Sequence, residues 1–217
     1  MKSKSRKKSP KKKVPKKTKI LAIGDVHGDT GLVKKLAEKA KEENVDLVIL
    51  AGDLTMAEMS TKNLVGPFVK AKKEVLIIPG NHESIATVDF LAQMYYPNTK
   101  NIHGYSFVKE NLGIFGAGGG DVGINMIKES EIFSLLKKGH ENIKSHEKKI
   151  MVTHLHHKGS KAEFSGFVGS SAVRRAVKEF KPDVLISAHI HEAGGLYEKI
   201  GDTVILNVSR NPVIFEV

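Results

Sequence analysis

The sequence predicts a single α/β domain, two β-sheets packed face to face with helices outside, an αββα sandwich. Three observations predict it. Short apolar runs alternate with helical patterns through the first half, the mark of βαβ units and a parallel sheet. Hairpin patterns replace that alternation at 105–116 and at 195–208, so antiparallel strands enter later. Five of the apolar runs stop at Asp, Asn or His, so their ends are expected to meet at one edge.

The elements follow in order. The run 19–24 (KILAIG) reads as a buried strand. In 30–44 Leu32, Val33, Leu36 and Ala40 recur at helical spacing, which predicts an amphipathic helix. The run 46–51 (DLVILA) is a second strand. A helix is expected between 60 and 73, broken or started late by Gly66-Pro67, because proline fits only a first helical turn. A third strand at 74–79 and a helix at 84–94 complete the alternation. The runs 105–109 and 112–116 flank Glu110-Asn111 as a hairpin, and a glycine-rich loop follows at 116–120. Then come a helix at 128–142, a strand at 149–153, a helix at 170–180 and a strand at 183–188 (DVLISA). Segments 195–200 and 203–208 flank a Gly201-Asp202 turn as a second hairpin, and 213–217 is a closing strand.

Charge divides the chain. The 217 residues carry a formal net charge of +11, which suggests a polyanion binder until the charge is located. Residues 1–19 hold ten Lys, one Arg and no acid, leaving 24 basic against 24 acidic residues for the rest. The expectation is a disordered Lys-rich tail over 1–18, too polar to offset its ordering entropy, and a neutral domain over 19–217. The tail is a candidate contact for nucleic acid or an acidic partner. The chain has no Cys, which excludes disulfides, thiolate metal sites, iron–sulfur clusters and a Cys nucleophile. No apolar run approaches the roughly 20 residues that span a bilayer, and 20–23 is too short for a signal-peptide core. A cytoplasmic protein without membrane contact is therefore expected.

The strand ends carry the chemistry. Asp25-Val26-His27 follows the first strand, Gly52-Asp53 the second and Gly80-Asn81-His82-Glu83 the third. His154 follows 149–153, and His189-Ile190-His191 follows 183–188. Carboxylate and imidazole donors without thiolate suit Mn, Fe, Ni, Co or Zn. Asp25, His27, Asp53, Asn81, His154, His189 and His191 are too many for one ion and suit two sharing a carboxylate. Two ions ~3.5–4 Å apart activate a water and stabilise an in-line displacement at phosphorus. His82, left over, is placed to act as a general acid. Taken singly, each Asp is as well explained as a helix cap or turn residue, and each His as an ordinary surface or core residue. Five strand ends together are not.

In order, Asp25-Val26-His27-Gly28, Gly52-Asp53, Gly80-Asn81-His82-Glu83, Thr153-His154 and His189-Ile190-His191 resemble the motifs of the calcineurin-like metallophosphoesterase superfamily. The resemblance runs from residue 25 to 191 and excludes the tail. It implies a two-sheet sandwich with a dinuclear centre. One metal would be held by Asp25, His27 and His191, the other by Asn81, His154 and His189, with Asp53 bridging. His82 would work on the leaving group or the phosphate. The implied activity is hydrolysis of a phosphodiester or phosphomonoester, of a small molecule or nucleotide, by a hydroxide that the two metals activate.

Some positions depart from the family pattern. Ala188 stands where Gly often precedes the last H-x-H. The run Gly52-Asp53-Leu54-Thr55-Met56 lacks the further acid that orients the catalytic His, so Glu58 or Glu83 would have to substitute. Leu155-His156-His157 replace a common Pro-Pro, and these histidines either reach substrate phosphate or sit exposed on a loop. Arg174 and Arg175 are expected to be solvated, while Arg210 follows a strand end and is a candidate to approach the site. The 116–120 loop either offers N–H groups to an anion or is a plain turn. Two other functions stay open: a nuclease using the basic tail, and a non-catalytic binding module on the same fold.

Overall fold

In the computed structural model, residues 17–217 are described. The expected tail therefore lies outside the described residues, apart from Lys17 and Thr18. Thr18 and Val217 exchange backbone hydrogen bonds at 2.9 and 3.1 Å, so strand pairing starts one residue before the boundary that composition suggests.

The first sheet runs in the order β11-β1-β2-β3-β4. Its strands are β1 (Lys19–Ile23), β2 (Leu47–Ala51), β3 (Glu74–Ile78), β4 (Thr99–Asn101) and β11 (Val213–Glu216), with β11 alone antiparallel to its neighbour. The second sheet runs β5-β6-β7-β8-β10-β9. It comprises β5 (Ser106–Lys109), β6 (Leu112–Ala117), β7 (Lys148–Thr153), β8 (Val184–Ser187), β9 (Tyr197–Ile200) and β10 (Thr203–Asn207). Here β6, β7, β8 and β10 are parallel, and the two edge strands close as hairpins.

Side-chain alternation builds four layers. Leu21, Ile23, Val48, Leu50, Val75 and Ile77 face α1 (Thr30–Glu42), α2 (Gly66–Lys70) and α3 (Ile85–Met94). Their neighbours Ile20, Ala22, Ile49, Leu76 and Ile78 point the other way, onto Ile114, Ile150, Val152 and Ile186 of the second sheet. Phe115, Met151 and Leu185 then pack under α4 (Glu129–Glu141) and α5 (Ser171–Phe180). Each fully buried aliphatic side chain contributes about 1.5–3 kcal/mol of transfer free energy. The layering matches the αββα expectation.

Local chemistry sets the helix starts. Asp29 caps α1 by accepting from the Leu32 N–H at 2.8 Å, and Ser84 and Ser170 cap α3 and α5 in the same way. Pro67 delays α2 until Gly66, so of the helix expected from 60 only five residues form. Strand β4 is missed by pattern because Thr-Lys-Asn carries no apolar residue; it is held at the edge by pairing to β3. Among the described residues no helix is long and apolar enough to cross a membrane.

Parallel strands of both sheets end at one edge, and the predicted site residues follow those ends. Thr18 lies at the opposite end of β1, paired with Val217.

Candidate metal centre

The backbone after β1, β2 and β8 is bent sharply. Asp25 (φ 56°), His27 (48°), Asp53 (53°) and His189 (72°) all occupy the left-handed region, which costs a non-glycine residue about 1–3 kcal/mol. Cross-links hold the bends in place: Asp25 N–H donates to the Gly52 carbonyl at 3.0 Å and His27 N–H to the Asp53 carbonyl at 2.9 Å. Gly80 allows the third turn to close on the second, since a Cβ there would lie 2.0 Å from Asp53 Oδ1. Gly24 answers the departure at Ala188, because a Cβ on Gly24 would lie 2.5 Å from the Ala188 Cβ. The extra methyl thus occupies space that glycine leaves on the facing strand.

These bends bring all seven predicted ligands together. His27 Nε2 and His191 Nε2 are 3.1 Å apart, and Asp25 Oδ1 lies 3.5 Å from His191 and 3.8 Å from His27. On the other side His154 Nε2 is 3.0 Å from Asn81 Oδ1 and 3.2 Å from His189 Nδ1. Asp53 Oδ2 stands between the groups, 3.7 Å from His27 Nε2 and 3.4 Å from His154 Nε2. The second oxygen of each carboxylate is pinned: Asp25 Oδ2 accepts the His189 N–H at 3.0 Å and Asp53 Oδ1 the His82 N–H at 2.9 Å. His154 Nδ1 faces the Ala51 carbonyl at 2.9 Å, which leaves Nε2 for the site.

The electrostatics couple the carboxylates to the imidazoles. Burial pushes Asp25 and Asp53 up, but neighbouring His191 and His154 outweigh it and hold both carboxyls below the usual range. Burial opposes charge on His154, yet Asp53, and behind it Asp25, lift its imidazole to about 10. Burial, reinforced by His154, pushes His189 down to about 4. Burial also lowers His27, while the contact with Asp25 raises His191.

Divalent metal fits this arrangement. Asp25 Oδ1 is buried and has no hydrogen-bond partner, an acceptor left open toward the site. Asp25, His27 and His191 offer donor atoms within 4.8 Å of one another, and so do Asp53, His154 and His189. The donors are oxygen and imidazole nitrogen only, as borderline divalent metals prefer.

His82 stands beside these groups. Its ring is edge-on to His27 at 4.7 Å, and with His27 and Asp53 it forms a third close set of donors. Neither expected acid orients it. Glu83 is fully buried and instead binds the Gly80 and Leu54 N–H groups at 2.8 and 3.2 Å. Glu58 accepts from Ser84 and Thr87 at the start of α3. Both are drawn away because unpaired backbone N–H groups of the adjoining turns demand acceptors.

Other expectations need correction. His156 and His157 neither reach the site nor lie exposed. Both are buried, His156 Nε2 against the Phe167 carbonyl at 3.3 Å and His157 Nε2 against Glu198 at 3.2 Å. The glycine loop offers no anion cradle: Gly119 N–H goes to the Pro79 carbonyl and Gly118 N–H to His103 Nδ1. Arg174 lies by His157, and Arg175 pairs with Glu179. Arg210 does approach, with Nη1 3.5 Å from the Asp25 carbonyl. Sequence pattern carries no sign of the walls above the donors. The cleft, about 420 Å³, is flanked by Met56, Val122 and Phe167, isolated residues in loops without periodic neighbours, and by Glu192 of a 3₁₀ turn.

Comparison with solved structures shows the fold widely shared. The chain superposes on the Thermus thermophilus protein TT1561 with a TM-score of 0.73 at 18% identity, covering 89% of this chain and 90% of that one. A dimetal phosphatase from Danio rerio matches at TM-score 0.61 and 12% identity, over 88% and 87% of the two chains. An archaeal phosphodiesterase matches at 0.55 and 16%, over 92% and 99%. No curated protein matches the sequence at a significant level. The family model for calcineurin-like phosphoesterases matches residues 18–193, a span that holds every strand-end motif and both donor groups, and the chain belongs to that family.

Proposed function

We propose that this chain is a metal-dependent phosphoester hydrolase acting on a phosphodiester or phosphomonoester of a small molecule or nucleotide. The observation that carries the proposal is Asp53 Oδ2, placed between two sets of donors at 3.7 and 3.4 Å. In this reading Asp25, His27 and His191 would hold one ion and Asn81, His154 and His189 a second, with Asp53 a ligand available to both. Bound ions would supply positive charge for the phosphoryl oxygens and a water of lowered pKa. The turns carrying the ligands keep their donors convergent before substrate arrives, so little reorganisation is needed. His82, half-buried at the rim, gives a proton to the departing oxygen as its P–O bond breaks. The Danio rerio and archaeal structures, named a dimetal phosphatase and a phosphodiesterase, support this reading.

The test is hydrolysis of aryl phosphate mono- and diesters with Mn²⁺, before and after chelation. Activity should vanish with chelator and return with metal. His82→Ala should slow alkyl leaving groups by about 10²–10⁴-fold and 4-nitrophenolate, which departs unaided, far less. Inactivity with every divalent metal tried would overturn the proposal.

The tail carries a second, separable proposal: residues 1–18 tether the enzyme to nucleic acid or another acidic partner. The eleven cations of residues 1–19 support it. Each phosphate contact adds about 0.9 to the slope of log K against log salt on duplex DNA. Deleting residues 1–16 should therefore flatten that slope by several units in a filter-binding titration; an unchanged slope removes the tail from the account.

A further inference from the structure

Resting on the phosphoesterase reading, we infer that the cleft is a nucleoside subsite, and that Phe167 stacks the base of a nucleoside phosphoester while the metal centre takes its phosphate. The observation is a set of apolar side chains exposed inside a catalytic cleft. Phe167 is 57% exposed, Met56 44% and Val122 52%, and all three wall the space that His27, Asp53 and His82 open into. They come from three separate loops, after β7, β2 and β6. Leaving apolar area in water at each forgoes its burial, and a ligand recovers it.

Phe167 is held as a platform. Gly166 turns the chain before it at φ 89°, and Ser165 Oγ accepts the Phe167 N–H at 3.3 Å. His156, itself buried, meets the Phe167 carbonyl at 3.3 Å, and Gly169 N–H is fixed to Glu163 at 2.9 Å. The backbone is pinned on both sides while the ring is exposed, so stacking orders one side chain and no loop. This also gives the unexpected burial of His156 a purpose.

The chemistry favours a nucleoside over an acyl chain. A base presents a flat π-face to Phe167 and Met56, and its sugar presents hydroxyls that the Glu192 carboxylate in the same wall can accept. A hydrocarbon tail would be set against that carboxylate. A volume of about 420 Å³ suits one nucleotide rather than a folded polymer.

Three diesters sharing the 4-nitrophenolate leaving group test this on the Mn²⁺-loaded full chain: thymidine 5′-, methyl and octyl 4-nitrophenyl phosphate. The ratio of kcat/KM for the thymidine ester over the methyl ester should be on the order of 10-fold or more, carried by KM, as expected of one base stacked on an aromatic ring. Phe167→Ala should bring that ratio toward unity, and Phe167→Trp should keep it. Equal rates on the thymidine and methyl esters, a preference for the octyl ester, or a ratio unmoved by Phe167→Ala would each overturn the inference. Calorimetry gives a second readout with phosphonates, whose P–C bond resists hydrolysis. Adenosine 5′-methylenephosphonate should bind the loaded protein on the order of 10-fold tighter than methylphosphonate, and Phe167→Ala should abolish the difference. If neither these diesters nor 4-nitrophenyl phosphate is hydrolysed, the phosphoesterase reading fails, and the phosphonate pair still decides the subsite.

Discussion

Asp53→Asn is expected to lower kcat/KM for phosphoester hydrolysis by about 10³-fold or more and to strip metal from both halves of the centre, because charge stabilisation by bound ions is worth several kcal/mol. Asp53 is the one predicted ligand whose free oxygen faces both donor groups, at 3.7 Å from His27 and 3.4 Å from His154. The asparagine amide can still accept the His82 N–H that Oδ1 accepts at 2.9 Å, so the turn is preserved. What changes is charge: an N–H₂ group then points at the space where cations are expected. Asp25→Asn is the control. Its free oxygen faces only His27 and His191, so Asn81, His154 and His189 keep their arrangement. Elemental analysis after dialysis should find about half the wild-type metal in Asp25→Asn and almost none in Asp53→Asn. Full metal and full activity in Asp53→Asn would remove the shared carboxylate from the account, and with it the main support for two ions.

This pair of variants was legible from sequence because the signal is local. Apolar runs such as 19–24 and 46–51 close on a Gly-Asp pair, Gly24-Asp25 and Gly52-Asp53, and a parallel sheet gathers such ends at one edge. What stayed hidden depends on contacts between distant turns. Glu83 looked like an acid that could orient His82; only the fold shows it sitting under Leu54, Thr55 and Gly80. His156 and His157 looked like loop histidines because nothing in 155–170 is periodic, yet the loop folds back and its Ser170 N–H reaches the His156 carbonyl at 2.8 Å. Strand β4 has no apolar residue to betray it, and Phe167 stands in a loop where single exposed aromatics carry no pattern. Ala188 and Gly24 show the same limit from the other side: a methyl lost on one strand makes room for a methyl gained on another.

Glu83→Ala should cost at least about 3 kcal/mol of stability, from unpaired buried donors alone. Glu83 is fully buried, and its Oε1 accepts the Gly80 N–H at 2.8 Å and the Leu54 N–H at 3.2 Å. Oε2 accepts the Thr55 N–H at 3.2 Å, with the Thr55 hydroxyl at 3.3 Å. Burial pushes this carboxyl up, and the amide donors pull against that. Truncation leaves three backbone N–H groups buried without acceptors, each worth about 1–3 kcal/mol. Glu83→Gln keeps one oxygen for part of the set and should lose less. The two turns it joins carry Asp53 on one side and Asn81 and His82 on the other, so the metal centre should loosen with them. A shift near 1 Å at a reacting centre can cost about 10²-fold in rate. Urea unfolding should show a lower midpoint at unchanged slope, and activity on 4-nitrophenyl esters should fall in parallel. The pattern also separates two roles for this residue. Were Glu83 the acid that orients His82, Glu83→Ala would keep its stability and lose rate only on poor leaving groups. A tie between turns loses stability and loses rate on every substrate.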